Sequence, residues 1–238
     1  MPLEQPNDTP SIPLPRRDFW KAKNYLTYRR LWLDVALEAF ASDMRGRVMD
    51  IGGKRENKRG TFQPPEHQAQ AWWYVNLDMT TNPNVYADAG QLPLMGQSVD
   101  CVICTEVLEH LPRPERCVAE IHRLLRDGGV ALISVPFLYP THADPYDYQR
   151  FTEDGLRNLF RDFKTVTVYR MGGYTGVLGL MVELGIHGVE GNAPSKKLAR
   201  WAMKWISRWL FRADLAAFGM ESEAWAKFTT GYFVRAVR

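Results

Sequence analysis

Apolar positions along the chain fall into short runs separated by turn chemistry, and the period of each run predicts an element. Between Asp18 and Ala41, Phe19, Trp20, Tyr25, Leu26, Leu31, Trp32, Val35, Ala36 and Phe40 recur at helical spacing. That predicts one amphipathic helix, or two with a joint near Asn24. Five short, largely apolar segments then read as strands: Arg47–Ile51, Trp73–Leu77, Val85–Ala87, Val99–Cys104 and Val130–Val135. Pro114 opens a helix to about Arg126, with Leu111, Val118, Ile121, Leu124 and Leu125 on one face and Gly128 as its stop. Thr152 caps a short helix that turns Leu156, Leu159 and Phe160 inward. Thr165–Tyr169 and Tyr232–Val237 read as two late strands, with glycine-rich turns and a basic helix between them. Strands alternating with helices predict an α/β fold whose parallel sheet is covered on both faces.

Composition narrows the class. A chain of 238 residues fits one ample domain, and 45% hydrophobic with 24% charged residues is ordinary globular material. The balance of 30 basic against 27 acidic residues argues against a broadly nucleic-acid-binding protein. That balance is an average of unlike regions. Residues 191–213 hold Lys196, Lys197, Arg200, Lys204, Arg208 and Arg212 with no acid, so the rest of the chain is net negative. Trp201, Trp205 and Trp209 recur in the same stretch. Such a helix suits either a cap packed on the sheet or a second subunit, or peripheral contact with an anionic membrane through 196–212. Residues 1–16 hold five prolines and no apolar signal core, which predicts a flexible lead-in before a single domain over 17–238 and a cytoplasmic location. Cys101 and Cys104 form a C-x-x-C inside an apolar run with no second pair, so they and Cys117 read as buried free thiols rather than a metal or redox site. No metal is expected.

In an open α/β sheet, ligands bind beyond the carboxyl ends of the strands. The first strand ends in Asp50-Ile51-Gly52-Gly53-Lys54, a carboxylate beside glycines that allow close backbone approach. The spacing G-x-G-x-x-G is absent and KRENKRGTFQPP is too broken for a long helix, which argues against a nicotinamide enzyme. Asp78 follows the second strand, where an acid suits ribose hydroxyls. Asp88-Ala89 follow the third, where an acid can accept from an exocyclic amine. Thr105-Glu106-Val107-Leu108-Glu109-His110 follow the fourth. Each acid taken singly also reads as a plain turn or helix cap.

Taken in order, DIGG, YVNLD, ADAGQLPL, SVDCVICTEVLEHL and RLLRDGGVALISVP resemble the successive motifs of class I S-adenosylmethionine-dependent methyltransferases, small-molecule group, over about residues 45–165. The resemblance implies a Rossmann-like seven-stranded sheet with an antiparallel last strand, helices on both faces and a helical insertion at about 174–228. It also implies that Asp50, Gly52 and Gly53 border the methionine end of the cofactor. Asp78 would hold the ribose, Asp88 and Ala89 the adenine, and Thr105 and Glu106 would close the sulfonium side. Lys54 departs from the pattern, standing where members of the family commonly have glycine.

The loop after the fifth strand concentrates polar and aromatic groups. His142 is a candidate base with Asp144 or Asp147 to orient its ring, and Tyr146, Tyr148 and Arg150 can bind a sugar or carboxylate face. Tyr148 and Arg150 also read as braces of the loop, and His110 and His122 as structural residues of helices. The string FLYPTHADPYDYQRFTEDGLRNLF resembles methyltransferases found with bacterial glycan-assembly genes, which implies a saccharide hydroxyl as acceptor. Rival readings are N- or C-methylation of a small natural product, and a non-catalytic binding protein on the same fold.

Overall fold

The computed structural model describes residues 12, 27–56, 60–142, 145–216 and 224–238. Seven strands, β1 (Gly46–Ile51), β2 (Ala69–Asn76), β3 (Val85–Tyr86), β4 (Val99–Thr105), β5 (Leu125–Pro136), β6 (Thr165–Met171) and β7 (Gly231–Val237), form one sheet in the spatial order β3-β2-β1-β4-β5-β7-β6. β1 to β5 pair in parallel, and β7 runs antiparallel to both neighbours. The antiparallel strand and the insertion before it match the sequence expectation.

Side chains alternate across the sheet with a period of two. Met49, Ile51, Val102, Cys104, Ala131 and Ile133 join one core with α2 (Pro114–Leu124) and α3 (Glu153–Leu159). Val48, Cys101, Ile103, Val130 and Leu132 face the other core, against Trp32, Val35 and Ala36 of α1 (Tyr28–Ala39). Both faces are therefore covered. The three cysteines are buried and free, and burial pushes the Cys101 thiol up, which suppresses thiolate chemistry.

Local chemistry explains most boundaries. The Thr27 hydroxyl caps α1 by accepting from the Arg30 amide at 3.2 Å, and Thr152 caps α3 from the Gly155 amide at 3.1 Å. Pro114 sits in the first turn of α2, as expected. Between Ile51 and Ala69 the described residues form only a 3₁₀ turn, Glu66–Gln68, in keeping with the broken sequence there. The predicted helix over residues 18–41 begins, in its described part, at Tyr28, and its proposed joint near Asn24 lies outside the described residues, as does all of the Pro-rich lead-in except Ile12. One boundary differs. α2 ends at Leu124 and β5 starts at Leu125 in extended conformation, so Gly128 is not the helix stop. It lies inside β5 at φ +77, a conformation that glycine adopts without strain.

The insertion holds two helices where one was expected. The segment read as glycine-rich turns is α4 (Tyr174–His187), packed on α5 (Pro194–Leu215). Its glycines serve close approach: a Cβ at Gly179 would lie 2.5 Å from the Phe211 ring, and one at Gly176 would lie 2.6 Å from the Asp214 carboxylate. Asp214, fully buried on α5, accepts from the Gly173 and Gly176 amides at 3.0 and 2.9 Å, from Thr175 Oγ1 at 3.1 Å and from the Tyr28 hydroxyl. It thereby caps the start of α4, whose own N-cap residue, Gly173, offers no side chain. Phe211 stacks on Tyr28 with ring centroids 3.9 Å apart, tying α5 to α1. The tryptophan stripe does not pack on the sheet: Trp201, Trp205 and Trp209 are 60%, 54% and 66% exposed.

Candidate active site

The register of β1 and β4 sets Asp50 beside Ile103 and Ile51 beside Cys104, so the two strands end together. Residues 52–54 and 105–106 then emerge side by side and floor a cavity of about 660 Å³. Asp50, Gly52, Gly53, Lys54, Thr105, Glu106 and His142 all line it, together with Thr27, Arg29 and Arg30 from the start of α1. A Cβ at Gly53 would fall 2.2 Å from the Asp50 carboxyl carbon, and one at Gly52, where φ is +77, would fall 2.4 Å from Val107 Cγ2. Gly52 is thus confined to glycine, and a side chain at Gly53 would have to displace the Asp50 carboxyl. Asn76 fixes this turn by donating to the carbonyls of Gly52 and Gly53 at 3.2 Å each.

Glu106 closes the strand end at φ +55, an uncommon conformation for a residue with a side chain. Its carboxylate is gripped by Arg29, with Nε to Oε2 at 2.9 Å and Nη2 to Oε1 at 2.5 Å, and by Ser134 Oγ at 2.7 Å. Burial opposes its ionisation, but the Arg29 guanidinium and the Ser134 hydroxyl outweigh it and hold the carboxyl below its usual range. Arg29 also donates to the Thr230 carbonyl at 3.1 Å, so α1, β4 and the entry to β7 meet at one guanidinium. Pattern reading missed Arg29, because an amphipathic helix carries no mark for which polar residue turns inward.

Asp78 and Asp88 are placed differently from Asp50. Asp78 is exposed beyond β2 and accepts from the Thr80 amide at 2.9 Å and the Thr80 hydroxyl at 2.6 Å. Those hydrogen bonds, assisted by the Lys54 charge, lower its pKa against a small burial effect. Asp88 is exposed and accepts from the Gly90 amide at 2.7 Å, next to buried Ala89. Neither acid lines the cavity described above.

The described parts of the loop after β5, 137–142 and 145–152, fold back on the turn after β4. The Tyr148 amide donates to the Glu109 carbonyl at 2.8 Å, and Gln149 Nε2 to the Leu111 carbonyl at 2.9 Å. His142 Nδ1 lies 3.4 Å from Asp147 Oδ2, which also accepts from the His142 amide at 2.8 Å. Asp147 thus holds the ring-orienting place; Asp144 lies outside the described residues. Arg150 grips Asp147 with both terminal nitrogens and donates to the Pro140 carbonyl at 3.1 Å, which is the bracing role. Hydrogen bonding to Arg150 holds Asp147 well below the carboxylate range. Tyr146 and Tyr148 are 62% and 51% exposed with rings 5.7 Å apart, an aromatic platform open to solvent. His122 packs edge-on to Phe163 in the core.

His110, read from sequence as a structural residue, and Glu109, to which no role was given, stand beside His142. Glu109 Oε1 is 3.7 Å from His110 Nε2 and 3.8 Å from His142 Nε2. Burial and the neighbouring Glu106 charge push Glu109 up to about 8, and burial together with His110 lowers His142. The run Glu106-x-x-Glu109-His110 marks polar chemistry at a strand end, but nothing local signals that His142 joins it.

A family model described as a methyltransferase domain matches residues 67–133. A probable S-adenosylmethionine-dependent methyltransferase of Mycobacterium tuberculosis is 32% identical over 96 residues, covering 38% of this chain and 35% of that protein. One of Mycolicibacterium smegmatis is 43% identical over 51 residues, covering 21% and 20%. The chain spans less than half the length of the curated relatives it matches. Among solved structures, a SAM-dependent methyltransferase from Archaeoglobus fulgidus superposes with a TM-score of 0.55 at 16% identity, covering 88% of this chain and 94% of that one. A phosphoethanolamine N-methyltransferase of Haemonchus contortus, in complex with S-adenosyl-L-methionine, gives 0.52 at 15% identity, covering 87% and 52%. Residues 67–133 thus match a methyltransferase-domain model, and the chain as a whole has a Rossmann-like fold shared with a solved methyltransferase.

Proposed function

We propose that the protein is an S-adenosylmethionine-dependent methyltransferase that methylates a hydroxyl of a saccharide or saccharide-containing metabolite. The observation that carries the reading is the cavity at the joint end of β1 and β4, with Asp50, the two glycines, Thr105 and Glu106 on its floor and His142 on its rim. Its volume lies in the range of small-molecule and cofactor sites, about 300–1,000 Å³. The glycines at 52 and 53 let the Asp50 carboxyl and Val107 pack directly against the backbone of the turn, which sets the Asp50 carboxylate at the cavity floor. When bound, the cofactor supplies an electrophilic methyl group on a sulfonium, so the protein's work is binding, orientation and proton removal. Asp50 and Glu106 place negative charge where a cationic ligand end would lie. Asp78, Asp88 and Ala89 extend the same strand-end edge toward the ribose and adenine positions. Tyr146 and Tyr148 offer exposed aromatic faces that stack on sugar rings, and His142, on the cavity wall with Asp147 beside its ring, takes the acceptor's proton.

Incubation of the enzyme with the cofactor and a panel of sugars and sugar-linked metabolites, read by mass spectrometry, tests the proposal. The expected product carries one added methyl group on oxygen with stoichiometric S-adenosylhomocysteine. Methylation confined to nitrogen or carbon acceptors would refute the saccharide reading, and absence of cofactor binding at millimolar concentration would refute the enzyme reading.

A further inference from the structure

We propose that Glu109, His110 and His142 form a site for one divalent transition-metal ion at the rim of the cavity. The starting point is Glu109. Its side chain is fully buried, and neither carboxylate oxygen has a hydrogen-bond partner. Every other buried or half-buried acid near it is engaged: Glu106 by Arg29 and Ser134, Asp147 by Arg150. A buried carboxylate with no donor is costly unless a cation compensates it.

The two imidazoles present the matching chemistry. His110 Nδ1 is 2.5 Å from the Tyr146 carbonyl oxygen, so that nitrogen carries the proton and donates. His142 Nδ1 faces the Asp147 carboxylate at 3.4 Å. The His110 Nε2 is therefore left with a lone pair; His142 Nδ1 makes no hydrogen bond, and both Nε2 atoms approach Glu109 Oε1, at 3.7 and 3.8 Å. Three candidate ligand atoms thus converge on one point. Ligand atoms about 2.1 Å from a tetrahedral ion lie about 3.4 Å apart, so a small rotation of either ring closes the set. A carbonyl or carboxylate behind a ligating histidine is the usual device that fixes its tautomer and orientation. The hydrogen bonds from the Tyr148 amide to the Glu109 carbonyl and from the Gln149 side chain to the Leu111 carbonyl hold the two segments that supply the ligands.

Two histidines and one carboxylate select a first-row ion such as Mn²⁺, Fe²⁺ or Zn²⁺ over Mg²⁺ or Ca²⁺, which prefer all-oxygen sets. Three protein ligands leave coordination positions for an exogenous oxygen. His142 belongs to both the cluster and the cavity wall, so the ion borders the cavity. Resting on the proposed acceptor chemistry, the ion's role is Lewis acid to the acceptor hydroxyl: a metal–oxygen bond forms, the O–H bond breaks, and the proton leaves to water. With the ion bound His142 is a ligand and the proton passes to water; without it His142 is the base that takes the proton.

Chelator-stripped protein titrated with Mn²⁺, followed by electron paramagnetic resonance and by calorimetry, tests the site. One ion per chain is expected, with affinity falling more than about 100-fold in Glu109→Gln and in His110→Gln. Binding of S-adenosylmethionine by the same variants is the control for folding and is expected to be unchanged. No stoichiometric Mn²⁺ or Zn²⁺ binding by wild type that still binds the cofactor would overturn the site and leave the methyltransferase reading standing. Equal ion affinity in both variants would overturn the ligand assignment. Turnover indifferent to chelation and to added ion would overturn the Lewis-acid role.

A second surface carries its own inference, independent of the first. We infer that the outer face of α5 lies on an anionic lipid membrane. The inner face is already spent on Tyr28, Gly179 and Asp214 contacts. Leu198, Trp201, Trp205, Ile206 and Trp209 remain 49–66% exposed, and Lys204, Arg208 and Arg212 stand in the adjoining exposed stripe with no acid from 191 to 213. Interfacial tryptophans beside a run of bases complement the apolar boundary and negative charge of an anionic bilayer. Among the described residues no helix is long and apolar enough to cross a membrane, so the contact is in the plane. Flotation with phosphatidylglycerol vesicles should recover wild type but not Trp205→Glu, and phosphatidylcholine vesicles should recover neither. Wild type that fails to float with anionic vesicles, or a lipid-free dimer that Trp205→Glu dissociates, would overturn the inference.

Discussion

Replacing Asp214 by alanine isolates the contact that joins the two insertion helices. Four buried donors converge on its carboxylate: the amides of Gly173 and Gly176, Thr175 Oγ1 and the Tyr28 hydroxyl. After substitution the two hydroxyls can rotate toward other acceptors, but the two amides are fixed by the start of α4. Each orphaned buried donor costs about 1–3 kcal/mol, so the pair costs about 4 kcal/mol. For a chain of this size that lowers Tm by about 8–16 °C. Asp214→Asn keeps one acceptor oxygen and should lose about 1–2 kcal/mol. Thermal unfolding followed by circular dichroism, with denaturant titration as the equilibrium check, reads both. An alanine variant melting within about 2 °C of wild type would refute the reasoning, since it would mean that those amides find another partner or water without loss.

Three further outcomes follow from the site. Gly53→Ala drives a methyl group into the Asp50 carboxyl and should weaken S-adenosylmethionine binding at least about tenfold, roughly 1.4 kcal/mol, with the melting temperature little changed; unaltered calorimetric affinity would remove Asp50 from the cofactor wall. Arg29→Met leaves Glu106 without its cation, and because that carboxylate keeps some solvent access the expected loss is about 2–3 kcal/mol in denaturant unfolding, with part recovered in Arg29→Met/Glu106→Gln. Glu120 is held below its usual range by the Arg123 hydrogen bond, against burial and with help from the Leu92 amide. A depressed carboxyl contributes stability above its unfolded pKa of about 4.3 and loses it as pH falls through the folded value. Hydrogen exchange at Leu92, corrected for intrinsic rate, should therefore accelerate below that range in wild type and show no such acid-dependent change in Arg123→Met.

The strands of the central sheet were legible because parallel strands buried on both faces are nearly all apolar, as VDCVICT and VALISV are. α2 and α3 were legible from their first residues, Pro114 and Thr152. α4 was not, because glycine is a turn residue by local propensity, while Gly176 and Gly179 are there to let Asp214 and Phe211 approach. The start of β5 was misread for a similar reason: LLRDGG continues a helical pattern, and pairing of Leu125 with Val99 in the sheet overrides it. At the site, Asp50, Gly52, Gly53, Thr105, Glu106 and His142 were found because strand ends and one polar loop mark them. Arg29, Glu109 and His110 depend on how the 137–152 loop and α1 close over the sheet. No local pattern encodes that long-range meeting. Arg150 illustrates the converse, a conspicuous loop arginine whose charge is consumed by Asp147.

The position of β7 has a consequence for how the molecule comes into being. It is the last strand in sequence yet lies inside the sheet, between β5 and β6, and Arg29 closes on the Thr230 carbonyl at its entry. A nascent chain that has emerged only through α5 therefore has β5 and β6 each missing a neighbour and Arg29 missing one of its acceptors. Both open edges are templates for pairing with other chains until residues 231–237 arrive. Closure of the sheet and completion of the Arg29 hydrogen bonds are therefore one event that follows the synthesis of α5, and a ribosome stalled between α5 and β7 would present an aggregation-prone intermediate.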